Sequence, residues 1–347
     1  MKLNYIGGKR TDLNNFKNKF FKNKAINLKK YSKFSCFYYS RGNNAFSEII
    51  NFFLSDKKII LHLPIQNCNK SLLNNIKKNK NIIFFYYRTK KELLANYKQN
   101  LNYKNIVLIV DYAGITDFSE LIIKRKNIKY ILDSANSFFD MSLIDEYYET
   151  FDFIFFSFRK FLPCSDGALL FSKYNHEKLN FINFHYYIWE FLIFCNKFII
   201  IELLIDKLGI RRYLLNKHEN KISIRNCSQL GKNIFLKTDF KKLSKLRLNN
   251  YYYYDRNINE SFKQKLFFKK RSSKISPLYY PIRTDNCLIL QNFLAKFNIY
   301  CPVFWSELKL SDQFLGLPID DRMTLNDLNY VVKKINDFSK IHKNLRI

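Results

Sequence analysis

Between residues 106 and 172 short apolar runs repeatedly end in polar side chains, and this rhythm narrows the possible folds more than any other feature of the chain. IVLIV (106–110) leads into Asp111-Tyr112-Ala113-Gly114. Residues 130–132 end at Asp133, residues 153–156 end at Ser157 with Lys160 just beyond, and Asp166-Gly167 opens a further apolar run. A strand that is apolar along its whole length is buried on both faces, as parallel strands between helices are. Polar residues collected at the carboxyl ends of such strands mark the edge where open α/β sheets bind ligands. Asp133, Ser157 and Lys160 are therefore expected at one site.

The same alternation extends in both directions. Residues 57–63 and 82–87 read as strands, with helices over 68–78 and 90–98. A helix over 117–124 and strands at 129–132, 152–157 and 167–171 continue the series. Repeated βα units wind into a mostly parallel sheet. Residues 1–35 are polar, basic and weakly periodic, and read as an N-terminal arm or a short capping element. A large α/β domain is expected over residues 36–234, its last part a helical region at 176–215. A smaller C-terminal α+β domain, 235–347, is expected to hold a basic helix at 244–266, strands at 277–283 and 299–305, and helices at 287–297 and 325–338.

Composition supports a large core, since 47% of the 347 residues are hydrophobic and 18% aromatic. The net charge of +30 raises the question of a nucleic-acid partner. Coding bias is the competing explanation: Lys, Asn, Ile, Phe and Tyr are abundant while Gly and Pro number only 8 and 6, as in an AT-rich genome. The lysines are dispersed, so no specific nucleic-acid site is expected. The seven cysteines (36, 68, 164, 195, 227, 287, 301) are widely spaced without a CxxC pair, which speaks against a disulfide framework and a zinc site; no metal is expected. The most apolar long stretch, 181–205, is interrupted by Asn183, His185, Glu190, Asn196, Lys197 and Glu202 and reads as an amphipathic helix, not a membrane span. With no apolar leader at the N-terminus, a cytoplasmic protein is the expectation.

The three strand-end residues suit amine transfer. A lysine amine, ordinarily an unreactive ammonium, can condense with an aldehyde cofactor and later serve as a base. A carboxylate against the cofactor's ring nitrogen keeps that ring protonated. Asp133 and Lys160 fit these roles for pyridoxal phosphate (PLP), and Ser157 could donate to its phosphate. Upstream, Ser40-Arg41-Gly42-Asn43-Asn44 precedes a helical pattern that begins at Ala45. Such a turn can hold a phosphate on its backbone amides, or it can simply cap a helix through Asn43 or Asn44.

SFRKFLPCSDGALLFSK (157–173) resembles the cofactor-lysine segment of the DegT/DnrJ/StrS sugar aminotransferases, which are fold type I, aspartate-aminotransferase-like PLP enzymes. It is closest to a branch whose lysine follows an arginine and precedes a Pro-x-x-Asp-Gly turn. ILDSANSFF (131–139) is similar to the family's ring-nitrogen aspartate strand, YSRGNNAFSEI (39–49) to its phosphate turn, and HLPIQNC (62–68) to a segment near the cofactor ring. PLYYPI, IYCPVFW and LGLPIDDRM are similar to its small-domain segments. The resemblance spans about residues 35–340. It implies a fold type I large domain with a small α+β domain, Lys160 and Asp133 as catalytic residues, and PLP held by Asp133, Asn136, Ser157, Lys160 and the turn Ser40, Arg41, Gly42 and Asn43. It further implies a homodimer that moves an amino group from an amino acid, glutamate by expectation, to the keto group of a nucleotide-linked sugar for surface polysaccharide or lipopolysaccharide synthesis. Arg41, Arg159, Arg211, Arg212 and Lys245 are candidates to meet a diphosphate.

The chain departs from the family in several places. The phosphate turn reads Arg-Gly-Asn-Asn-Ala; Asn136 stands where His or Gln is usual; Asp111 replaces a frequent His; and the glycine pair after the lysine is Gly167-Ala168. A binding or scaffold protein without activity is the alternative these departures raise. Lys160 is present where the family's dehydratases carry His, which favours an active aminotransferase.

Overall fold

The computed structural model describes residues 6–7, 13–28, 33–54, 58–67, 73, 76–98, 103–123, 125–175, 226–262, 266–271, 274–284 and 286–341. The chain enters through β1 (Ile6–Gly7) and α1 (Leu13–Phe20). Then follow β2 (Ser35–Tyr39), α2 (Gly42–Leu54), β3 (Ile59–Pro64), β4 (Ile82–Tyr87), α3 (Lys90–Lys98), β5 (Lys104–Val110), β6 (Ile128–Asp133), α4 (Met141–Tyr147), β7 (Phe153–Phe156) and β8 (Ala168–Ser172). Beyond residue 225 come α5 (Gln229–Lys237), α6 (Phe240–Asn257), β9 (Tyr279–Ile282), α7 (Cys287–Ala295), β10 (Ile299–Tyr300), β11 (Val303–Phe304), β12 (Phe314–Pro318) and α8 (Leu325–Ile341).

The main sheet has seven strands in the order β2-β8-β7-β6-β5-β3-β4. Pairings from β7 through β4 are parallel, while β8 runs antiparallel to both β7 and β2. Alternate residues of one strand feed two cores. Ile106, Leu108, Ile131, Phe153 and Phe155 pack with Phe46, Ile49, Ile50 and Phe53 of α2. Val107, Ile109, Leu132, Ile154 and Phe156 face the opposite core with Phe16, Phe20, Phe139, Ile144, Phe235 and Phe240. This two-sided burial is why the strands read as unbroken apolar runs. A third core joins the three-stranded sheet β11-β12-β9 to α7, α8 and the buried face of α6.

Several local expectations are corrected. Residues 13–20 form a helix that buries Phe16 and Phe20, so this part of the basic N-terminal stretch contributes to the core. α2 begins at Gly42, earlier than the apolar pattern at Ala45, which places Asn43 and Asn44 inside the helix and not at its cap. Of the helix expected at 117–124, the described residues 117–123 form no α-helix: Thr116 bridges Lys270 and the Asp117 amide donates to the Lys269 carbonyl, so the segment is tied down and a 3-10 turn (Ser119–Leu121) follows. The helix expected at 244–266 starts at Phe240, where Asp239 accepts from the Lys242 amide, and ends at Asn257. The strand expected at 299–305 is broken at Cys301-Pro302, because β10 pairs with β1 whereas β11 pairs with β12. Most of the helix expected at 68–78, and the helices expected at 176–215 and 181–205, lie outside the described residues.

Candidate active site

β2 is antiparallel to β8, and β8 to β7, so β2, β5, β6 and β7 all point the same way. Their carboxyl ends deliver Ser40, Asp111, Asp133 and Ser157 to one edge of the sheet. The sequence rhythm from residue 106 onward is the linear trace of that edge.

Asp133, the last residue of β6, is buried. Its Oδ1 accepts from the Ala135 amide at 2.9 Å, and the Ser137 amide donates to the Ser134 carbonyl at 3.0 Å. Aspartate accepting from the amide two residues on is the standard way this side chain closes a turn. The turn carries Asn136, also buried. Lys160 ends a 3-10 turn (Phe158–Lys160) that follows β7; it is exposed, and its Nζ donates to Asn136 Oδ1 at 2.6 Å. Ser157, buried at the start of that turn, forms no side-chain cap bond.

The first turn of α2 closes the third side. The Gly167 amide donates to the Ser40 carbonyl at 2.7 Å, and the Arg159 amide to the Gly167 carbonyl at 3.2 Å. The Lys160 segment is thereby stitched to the turn before α2. A Cβ on Gly42 would lie 3.6 Å from the Phe155 ring and 3.7 Å from Ala135 Cβ, so α2 begins against the Asp133 turn. Ser40 Oγ donates to Asn44 Oδ1 at 2.7 Å, and the Asn44 amide to the Arg41 carbonyl at 3.0 Å. Asn43 is exposed and Arg41 half-exposed. The residues expected to hold the cofactor thus gather at this edge, in three neighbouring segments: 40–43, 133–136 and 157–160.

The arrangement has features the sequence did not disclose. Ser134 Oγ is buried with no hydrogen-bond partner among the described residues, directly beside Asp133. Burial pushes the Asp111 carboxyl up to about 6, against the pull of the Ser137 hydroxyl and the Arg271 guanidinium. A cleft of about 610 Å³ opens beside Lys160 and Arg159, walled by Arg247, Tyr279, Asp320 and Arg322 from the C-terminal half. Asp133, Ser157 and the 40–43 turn lie outside its wall. Arg247 and Arg322 were missed: the first is hidden in a generally basic helix, the second in the LPIDDR run. Of the three described basic candidates for a diphosphate, Arg41, Arg159 and Lys245, only Arg159 lines this cleft. Lys245 borders a separate groove along α6, and Arg211 and Arg212 lie outside the described residues. Cys68 does too; in the strand before it His62 is buried and paired to Asn105 at 2.7 Å. Among the described residues no group of three His, Cys, Asp or Glu could hold a metal, and no helix is long and apolar enough to cross a membrane.

No family model matches the sequence, and no curated protein matches it. Solved structures do match in three dimensions. A DegT DnrJ EryC1 StrS aminotransferase from Brucella abortus superposes with a TM-score of 0.59 at 12% identity, over 96% of this chain and 91% of that one. The apo form of Spr1654 from Streptococcus pneumoniae, described as a sugar aminotransferase, gives 0.60 at 13% identity over 98% and 93%. A serine palmitoyltransferase from S. paucimobilis, with a bound PLP–myriocin aldimine, gives 0.60 at 11% identity over 96% and 83%. The chain has the fold of these enzymes. The mostly parallel seven-stranded sheet, its antiparallel β8 and the flanking helices are that fold's large layer.

Proposed function

We propose that the chain is a PLP-dependent aminotransferase that moves an amino group from an amino acid to the keto group of a sugar. The observation that carries this reading is the Lys160 amine directed onto the turn of Asp133 and Asn136, at the carboxyl edge of a fold shared with PLP enzymes. The residues present fit the cofactor. Lys160 supplies the amine for its aldehyde, Asp133 a buried carboxylate for its ring nitrogen, and Asn136 an amide for a polar ring substituent. Ser157, with the amides that begin α2, would hold its phosphate, since a helix N-terminus favours an anion. The orphaned Ser134 hydroxyl, which burial makes costly, is a further group that a bound cofactor would satisfy. When bound, PLP supplies an electron sink for the carbon from which a proton is removed.

What the chain's own side chains do follows from their places. Asp133, desolvated at the strand end, would stabilise a positive charge on a bound ring nitrogen, and Asn136 keeps the Lys160 amine over the turn. Once released from Asn136, Lys160 Nζ is the base placed to take and return the proton. The cleft beside it is lined by Arg159, by the buried Arg247 and by Arg322, which is paired with Asp320 at 2.9 Å; this basic excess would draw an anionic substrate. A nucleotide-linked sugar, glutamate as donor, a homodimer, and a role in surface polysaccharide synthesis complete the reading, each supported by the motif resemblance.

The test is reconstitution. Purified protein incubated with PLP should acquire a visible absorption band that glutamate discharges, and Lys160→Ala should acquire none. Protein that takes up no PLP would instead favour a binding or scaffold role.

A further inference from the structure

One buried carboxylate at the sheet edge is not used by the proposed chemistry. Asp111 follows β5 and is 3% exposed. Its amide donates to the Asp133 carbonyl at 2.9 Å, extending the β5–β6 ladder by one step. Its Oδ2 accepts from Ser137 Oγ at 2.8 Å, and its Oδ1 from the Thr116 amide at 3.1 Å. Asp111 therefore grips both ends of the turn 133–137, by backbone at one end and side chain at the other. Because Asp133 and Asn136 lie within that turn, a slip at Ser137 would move the amide that receives Lys160.

The grip is anchored from a third direction. Phe138 donates its amide to the Ser276 carbonyl and accepts from Ser276 Oγ, while the Ser276 and Leu278 amides donate to the carbonyls of Gly114 and Ala113. The strap 274–278 thus ties the segment after Asp111 to the segment after Asn136. The charged and titratable groups near the carboxyl are Asp133, Arg271 and Tyr147; Arg271 stacks on Phe118 and Tyr147 and hydrogen-bonds the Tyr147 hydroxyl. A carboxylate in this desolvated setting is a strong acceptor, and hydrogen bonds to charged groups are the stronger kind.

We propose that Asp111 is a positioning residue for the PLP site: through Ser137 it fixes the turn that presents Asp133 and Asn136. This rests on the function proposed above. Its charge has a second consequence, for an anion near Asp133 favours positive charge on the bound cofactor.

The experiment is a PLP titration by absorbance of full-length wild type, Asp111→Asn, Ser137→Ala and the double variant, with thermal denaturation of each cofactor-free protein. Ser137→Ala is the mild member and keeps the measurement open if Asp111→Asn fails to fold. Each single variant is expected to bind PLP about tenfold more weakly, the loss of one charge-assisted hydrogen bond. The double variant is expected to be no worse than Asp111→Asn, because both act through one contact. The pH midpoint of the visible band is expected to fall in Asp111→Asn and to stay in place in Ser137→Ala, a signature that loss of stability alone would not produce. A wild type that binds PLP beside variants with unchanged affinity and midpoint overturns this inference alone. A wild type that takes up no PLP overturns it together with the proposed function.

Discussion

The Lys160 amine reaches Oδ1 of Asn136 at 2.6 Å, across the gap between the 3-10 turn after β7 and the turn after β6. Two residues 24 apart in sequence meet because parallel β6 and β7 pair Asp133 with Phe155, which leaves both following turns at the same edge. The buried Asn136 amide thereby aims the Lys160 amine at the turn that carries Asp133. Asn136→Ala should therefore weaken PLP uptake about tenfold while leaving the melting temperature within a few degrees of wild type. Absorbance titration and thermal denaturation on the same samples check both halves.

Gly167 is the hinge between the Lys160 segment and the α2 turn. Its φ is +144°, and a Cβ there would fall 1.9 Å from the Phe158 ring, inside the turn that carries Lys160. Gly167→Ala should push Phe158 out of its packing against Phe235 and displace the lysine. Loss of the visible band at saturating PLP, in a protein whose far-UV circular dichroism remains native, is the expected result.

Gly114 offers a contrast, because what crowds it is backbone. Its φ is +80°, and a Cβ would lie 1.9 Å from the Ser276 carbonyl oxygen. No rotamer change relieves that clash. Gly114→Ala is expected to cost at least about 1–3 kcal/mol, read as a melting point several degrees lower and faster proteolysis near residue 276.

The sheet edge was legible because its strands are buried on both faces, and continuous apolar runs announce both the strand and its end. Asp133, Ser157 and Lys160 could be found that way, and the DegT-like motifs added Asn136 and the 40–43 turn. Features that depend on distant partners were not legible. The segment expected as a helix at 117–124 has helical periodicity, yet contacts with Lys269 and Lys270 hold residues 116–117 in another form. The apolar run 299–305 serves two different sheets, so it breaks where one partner gives way to the other. Arg247 and Arg322 meet Lys160 across the cleft only through tertiary packing, which no local pattern records.

Burial of Asp111 sets a pH dependence of stability. Its folded value of about 6 exceeds the ordinary 3.8, so the folded protein holds this proton more tightly than the unfolded chain. The group's stabilising contribution is then complete below the ordinary value and is lost as pH rises through about 6. The melting temperature of cofactor-free wild type, relative to Asp111→Asn, should accordingly decline between about pH 4 and pH 6 and level off above. A difference that rises over this range would show the carboxylate to be held ionised instead.

The central claim is that the Lys160 amine and the Asp133 carboxylate serve one cofactor. Reduction of PLP-loaded protein with borohydride, followed by peptide mass mapping, tests it most directly. The account predicts a pyridoxyl group on Lys160 and on no other lysine at one equivalent of PLP, with the labelling much reduced in Asp133→Ala. Labelling scattered over surface lysines, or unchanged when Asp133 is replaced, would contradict it.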